Sequence, residues 1–166
     1  MPRIEIRNAG AQDAPLILEL IKGLAEYERL ASAVVATEAS VRDSLFGSKP
    51  DAEVIIAEVD GVAAGFALFF PNYSTFLAQR GLHLEDLFVF PVFRGLGIGT
   101  RLLVRLAAIA VERRCGRLEW AVLDWNTDAI GFYQSLDAMP MSEWTTFRVT
   151  GEALERLARR PGRATA

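Results

Sequence analysis

The sequence predicts an α/β (α+β) fold in which a mixed central sheet is flanked by helices. Three observations carry that expectation. Asp60-Gly61 stands between two apolar runs, Glu53–Val59 and residues 62–70, and such a dipeptide is a strong hairpin signal. A further apolar run, residues 83–90, leads into the alternate glycines Gly95, Gly97 and Gly99, and a helical pattern starts directly after them. Strand and helix patterns then alternate to the end of the chain, which places helices on both faces of the sheet.

Taken in order, residues 3–7 alternate like a strand. Asp13 caps or leads a long helix whose apolar positions Leu16, Leu20, Leu24 and Tyr27 recur at helical spacing. Thr37 is a cap for a shorter helix through Phe46, which Gly47 ends. The hairpin follows, then a polar connection over 72–81 and the strand 83–90, stopped by Pro91. After the glycines, Leu102, Leu103, Leu106, Ile109 and Ala110 fall on one helix side and belong to the core. Residues 117–124 read as a strand, 126–136 as a short helix, 144–149 as another strand, and Thr150 opens a last helix.

The 166 residues fit one domain over 1–166, with 1–3 and 159–166 expected to fray. A composition 51% hydrophobic and 23% charged is that of a globular protein. Net charge −3 leaves no polyanion footprint, which argues against nucleic acid as a partner. The basic end (Arg156, Arg159, Arg160, Arg163) reads as a solvated helix end and tail. The N-terminus lacks the apolar core of a signal peptide, and the run 63–70 is too short to span a bilayer, so no membrane role is expected. One cysteine, Cys115, forms no intrachain disulfide and suits a reducing, cytoplasmic compartment. One histidine, His83, and one cysteine argue against a structural metal site, so no metal is expected.

The glycine segment is the main chemical signal. Glycines take positive φ and let a ligand approach bare N–H groups. The first turn of the following helix adds unpaired donors and a positive dipole end, which makes a seat for a phosphate or pyrophosphate. The residues after the glycines exclude one phosphate motif and count against a second, the dinucleotide fingerprint, which stays open as a third reading behind those that follow. A Walker loop needs Lys-Ser/Thr where Thr100-Arg101 stands, and a dinucleotide fingerprint needs Gly or Ala at Thr100.

The spacing that fits is Arg/Gln-x-x-Gly-x-Gly/Ala, filled by Arg94, Gly97 and Gly99. It resembles the acetyl-CoA loop of the GNAT acetyltransferase superfamily. The resemblance extends from about Ile4 to Leu157 and narrows to the diamine and thialysine acetyltransferase branch. Residues 20–28, 84–89 and 122–126 carry it, with Phe132-Tyr133 and residues 150–153.

The resemblance implies acetyl transfer from acetyl-CoA to a small primary amine, directly in a ternary complex, by a homodimer. At pH 7 only about one alkylamine in two thousand is unprotonated, so a proton must be collected before attack and another delivered to the leaving thiolate. It assigns Glu85 to binding and deprotonating the amine and Tyr133 to the thiolate. The backbone of Leu87, Phe88 and Val89 is expected to bind the pantetheine arm. Arg94, Gly95, Leu96, Gly97, Ile98, Gly99 and Thr100 are expected to hold the pyrophosphate, with Asn126, Thr127, Asp128 and Ala129 as a second cofactor contact. Tyr27, Glu28, Glu119, Trp120 and Ala121 are expected to face the amine, where carboxylates and aromatic faces suit a cation. Ser74 stands where polyamine-specific members carry an aspartate, which favours small amines over spermine.

Each of these residues also has a plainer use. Glu85 suits a surface ion pair, Tyr133 the core, Asn126 a helix cap. Two other functions remain open: a protein or peptide N-acetyltransferase, and a non-catalytic acetyl-CoA sensor. Retention of both Glu85 and Tyr133 argues against the sensor, since binding alone needs neither proton carrier.

Overall fold

A computed structural model describes residues 2–160. Residue 1 and residues 161–166 of the expected frayed ends, Arg163 included, lie outside the described residues. The chain divides into two compact units, Met1–Ala121 and Val122–Ala166.

The first unit holds a five-stranded sheet in the order β1-β2-β3-β4-β5. Strands β1 (Ile4–Asn8), β2 (Glu53–Val59), β3 (Val62–Ser74) and β4 (Gln79–Val89) run antiparallel, and β5 (Leu118–Trp120) joins β4 in parallel. The parallel pair is reached through the crossover helix α3 (Ile98–Glu112), and this makes the sheet mixed. Helices α1 (Ala14–Tyr27) and α2 (Glu38–Phe46) cover one face, where Ile17, Leu20, Val41 and Leu45 pack on Ile56, Phe66 and Phe88. Strand alternation turns Ile55 and Ala67 the other way, toward the side where α3 buries Leu102, Leu103, Leu106, Ile109 and Ala110. The expected core of that helix is therefore found.

Local chemistry explains the elements. Thr37 accepts from the Ser40 N–H at 3.2 Å and Gly47 follows Phe46, so α2 starts and stops as expected. Asp60 (φ 50°) and Gly61 (φ 81°) both take left-handed conformations, as a tight two-residue hairpin needs. Asp13 leads α1 but does not cap it. Its carboxylate accepts from the Gly10 N–H at 2.8 Å and from the Arg7 guanidinium at 2.8 and 2.9 Å. Arg7 also donates to Glu58 at 2.7 Å, so the group ties β1 to β2 and to the turn before α1. The buried stripe of α1 is Ala14, Ile17, Leu20 and Ala25; Leu16 and Leu24 flank it, and Tyr27 is exposed.

Two strand boundaries differ from the expectation. The connection foreseen over 72–81 is mostly hairpin, with pairing continuing to Ser74↔Gln79. Its polarity reflects a solvated strand end rather than a loop, and at Gly81 a Cβ would press on the side chains of Asn72 and Arg117. β5 is only three residues long where a strand over 117–124 was expected. It pairs with Leu82, His83 and Leu84 and goes no further.

The second unit contains α4 (Thr127–Gln134) and α5 (Gly151–Ala158). The strand expected over 144–149 is absent among the described residues, and Trp144 and Phe147 are exposed. Its apolar alternation lacks a neighbouring strand in that unit, without which a ladder cannot form. No described helix is long and apolar enough to cross a membrane.

Candidate active site

The glycine loop has the conformation that an anion seat requires. A short 3-10 turn over Pro91–Phe93 follows β4, Gly95 and Gly97 take φ of 80° and 74°, and Gly97 is the N-cap of α3. The first bond of the helical ladder is Arg101 N–H to Gly97 carbonyl at 3.1 Å, so the N–H groups of Ile98, Gly99 and Thr100 precede it. A Cβ built at Gly95 or Gly97 would meet nothing within 4 Å. The space over the loop is therefore open, and the residues present fit a diphosphate.

Beside the loop lies an open strand edge. Because β5 pairs only with Leu82–Leu84, residues Glu85 to Val89 of β4 have β3 on one side and, among the described residues, no strand on the other. Phe90 N–H donates to the Ala64 carbonyl of β3 at 2.9 Å. By antiparallel alternation, Phe88 also turns its amide groups to β3, while Leu87 and Val89 turn theirs to the open side. Arg94 Nε occupies the Val89 carbonyl at 3.2 Å. The edge thus offers the groups of Leu87 and the Val89 N–H; the backbone of Phe88 is engaged within the sheet, and its ring in the core.

Above this edge the strand is bulged. Leu68 pairs with Asp86 and Phe69 with Leu84, which leaves Glu85 as the extra residue. A bulge interrupts the simple alternation of side chains between the two faces of a strand. Glu85 is exposed, with His83 Nε2 at 3.6 Å from its carboxylate. Asp86 is half-buried, and its carboxyl is pushed up to about 6 by burial first, then by the charges of Glu85 and Glu28. Burial also raises the Glu28 carboxyl. Three carboxyl groups thus converge where α1 ends and β4 bulges. Sequence reasoning missed Asp86; its place two residues before the buried Phe88 was the available signal.

The remaining expected residues divide. Tyr27 carries the Arg94 guanidinium over its ring, 4.9 Å from the centre, beside an open groove of about 590 Å³ lined also by Leu18, Lys22, Phe88 and Phe90. Glu119 accepts from Asn72 Nδ2 at 2.6 Å and pairs with Arg117 at 3.2 Å, so its charge is already engaged. Trp120 ends β5 opposite Leu84, and Ala121 is exposed just after it. Ser74 is buried, and its hydroxyl accepts from the Leu77 N–H at 3.3 Å, which turns the hairpin.

In the second unit, Asn126 caps α4 by accepting from the Ala129 N–H at 3.3 Å. Thr127, Asp128 and Ala129 form its first turn. Tyr133 lies in its last turn, with its ring 5.3 Å from that of Phe132. No group of three or more His, Cys, Asp or Glu side chains fit to hold a metal occurs among the described residues.

A family model described as Acetyltransferase (GNAT) family matches residues 20–137, which include the bulge, the open edge, the glycine loop and α4. The chain belongs to the GNAT acetyltransferase family. Thialysine N-epsilon-acetyltransferase of Bos taurus is 37% identical to this acetyltransferase over 169 residues, covering 95% of this chain and 99% of that protein. L-ornithine N5-acetyltransferase of Arabidopsis thaliana is 35% identical over 195 residues, covering 90% and 86%. Among solved structures, an integron cassette protein from the mobile metagenome of V. cholerae matches this acetyltransferase with a TM-score of 0.80 at 27% identity, over 95% of this chain and 98% of that one.

Proposed function

We propose that this acetyltransferase moves acetyl from acetyl-CoA to a primary amine of a small molecule, an amino acid with a side-chain amine or a short diamine. One observation carries this reading: a single open edge of β4 joins a carboxylate cluster to an anion seat. Its free stretch, Glu85 to Val89, spans about 13 Å at strand rise, a length suited to an extended pantetheine arm. The cationic amine sits among Glu28, Glu85 and Asp86 at one end, and the diphosphate sits on Gly95, Gly97 and the start of α3 at the other. The relatives named as thialysine and ornithine acetyltransferases support the acceptor class.

Acetyl-CoA supplies an activated thioester. The carboxylates hold the ammonium, and Glu85 takes its proton, directly or through water, so that the nitrogen can attack the carbonyl carbon. As the C–N bond forms and the C–S bond breaks, Tyr133 gives its proton to the departing thiolate. Asn126 and the first turn of α4 hold the pantetheine arm. Both units belong to one catalytic domain, and the enzyme works in the cytoplasm as a homodimer.

The test is thiol release from acetyl-CoA by the purified protein across a panel of amines. Release with lysine analogues, ornithine or short diamines is expected. Release only with peptide substrates, or with no amine at all, overturns the proposal.

A further inference from the structure

Arg94 opens the Arg-x-x-Gly-x-Gly spacing, and its charge suggests a contact with the cofactor phosphates. Its side chain is placed otherwise. Nε donates to the Val89 carbonyl at 3.2 Å, and the guanidinium carbon lies 4.9 Å from the centre of the Tyr27 ring and 5.8 Å from that of Phe88. We propose that Arg94 is a positioning residue that couples the two substrate sites, clamping the amine-side end of α1 to the loop that seats the diphosphate.

Each contact fixes a different part. The bond to Val89 ends the open edge of β4 and sets the start of the 3-10 turn that swings the chain toward Gly95 and Gly97. The stack on Tyr27 holds the last residue of α1, and the next residue, Glu28, is one of the charges that act on Asp86. Displacement at either end is therefore felt at the other. Only a planar guanidinium can stack on a ring while donating through Nε; a lysine ammonium keeps the charge and loses that geometry.

This inference rests on the function proposed above, but its test does not need the acceptor. Coenzyme A binding is measured by calorimetry for the wild type, Arg94→Lys, Arg94→Met, Tyr27→Leu and the Arg94→Met/Tyr27→Leu pair, at low and high salt. Both Arg94 variants should lose about tenfold in affinity, equally at the two salt concentrations, because what is lost is the combined short-range hold on Tyr27 and the Val89 carbonyl and not a long-range attraction for the phosphates. Tyr27→Leu should lose about threefold, although it lies on the amine side, and the double variant should be no worse than Arg94→Met. Should Arg94→Met fail to fold, Arg94→Lys paired with Tyr27→Leu carries the same cycle. Restoration by lysine, a loss that shrinks at high salt, an additive double variant or an unchanged Tyr27→Leu would each overturn the clamp. Failure of every small amine to accept acetyl would instead count against the proposed function, and the binding cycle would still be read.

Discussion

The start of α3 and the bulge of β4 are both suited to a charged ligand, yet they are made from different material. The first is backbone: two left-handed glycines, the donors of a first helical turn, and open space above them. The second is side chain: Glu28 from the end of α1, with Glu85 and Asp86 from β4, where burial raises the Glu28 carboxyl, and burial and then the charges of Glu85 and Glu28 raise that of Asp86. A backbone site depends on local conformation, so it should break abruptly and without regard to pH. A carboxylate cluster depends on ionisation, so it should change by degrees as pH changes.

The largest effect is expected from Gly97→Val. At φ 74° a β-branched residue is strained, and its side chain would fill the space over the loop. No neighbour clashes with a Cβ there, so the fold should survive with a modest drop in Tm. Acetyl-CoA affinity should fall by roughly a hundredfold at every pH, on the order of 3 kcal/mol. Calorimetry showing undiminished binding would remove the loop from the site.

Second in size is Tyr133→Phe, which probes the thiolate end. Loss of a general acid should lower kcat by about a hundredfold while acetyl-CoA affinity stays within about threefold. Equal losses in both would make Tyr133 a packing residue beside Phe132.

The same contrast explains what the sequence made legible. The glycine spacing, the Asp60-Gly61 turn and the Thr37 cap each need one conformation from a few adjacent residues, and all three are found. The apolar side of α3 was equally readable, because its buried positions repeat along one helix. The acidic cluster was only half readable. The bulge at Glu85 arises from the register between β3 and β4, and the pressure on Asp86 comes first from burial, then from Glu85, and last from Glu28, fifty-eight positions earlier. Likewise the apolar alternation of 144–149 describes what a strand there would look like, without supplying the partner that would make it one.

The cluster itself is tested by pH. The Asp86 carboxyl is raised from 3.8 to about 6, so its neutral form is the one the fold favours. Its contribution to stability is present below 3.8 and is lost as pH rises through 6. Asp86→Asn should therefore be about as stable as the wild type near pH 4 and more stable than it above pH 6, by up to roughly 3 kcal/mol. Function should run the opposite way, since the ionised carboxylate attracts the ammonium. The kcat/KM for amine should rise with pH through about 6 in the wild type, and Asp86→Asn should flatten that rise. Glu85→Gln should lose most near neutral pH and recover in part at high pH, where free amine is abundant. Flat wild-type behaviour across that range would show that the cluster does not hold the amine.

The smallest effect is expected at Ser74, where the two kinds of construction meet. By resemblance, a carboxylate here favours long polyamines, so Ser74→Asp should shift kcat/KM toward spermine relative to a short diamine. The structure limits that shift. Ser74 is 7% exposed, and its hydroxyl already holds the Leu77 N–H that turns the hairpin. An aspartate would take over the same bond, since Asp forms such turns as readily as Ser, and would spend part of its charge there. The preference should therefore change by about threefold, below the roughly fivefold scale of a full, partly screened charge contact near 1 kcal/mol. Comparing the two acceptors on the same preparation cancels any general loss of stability. An unchanged ratio, with the variant still folded, would mean that Ser74 serves the hairpin alone and that acceptor length is set among Glu28, Glu85 and Asp86.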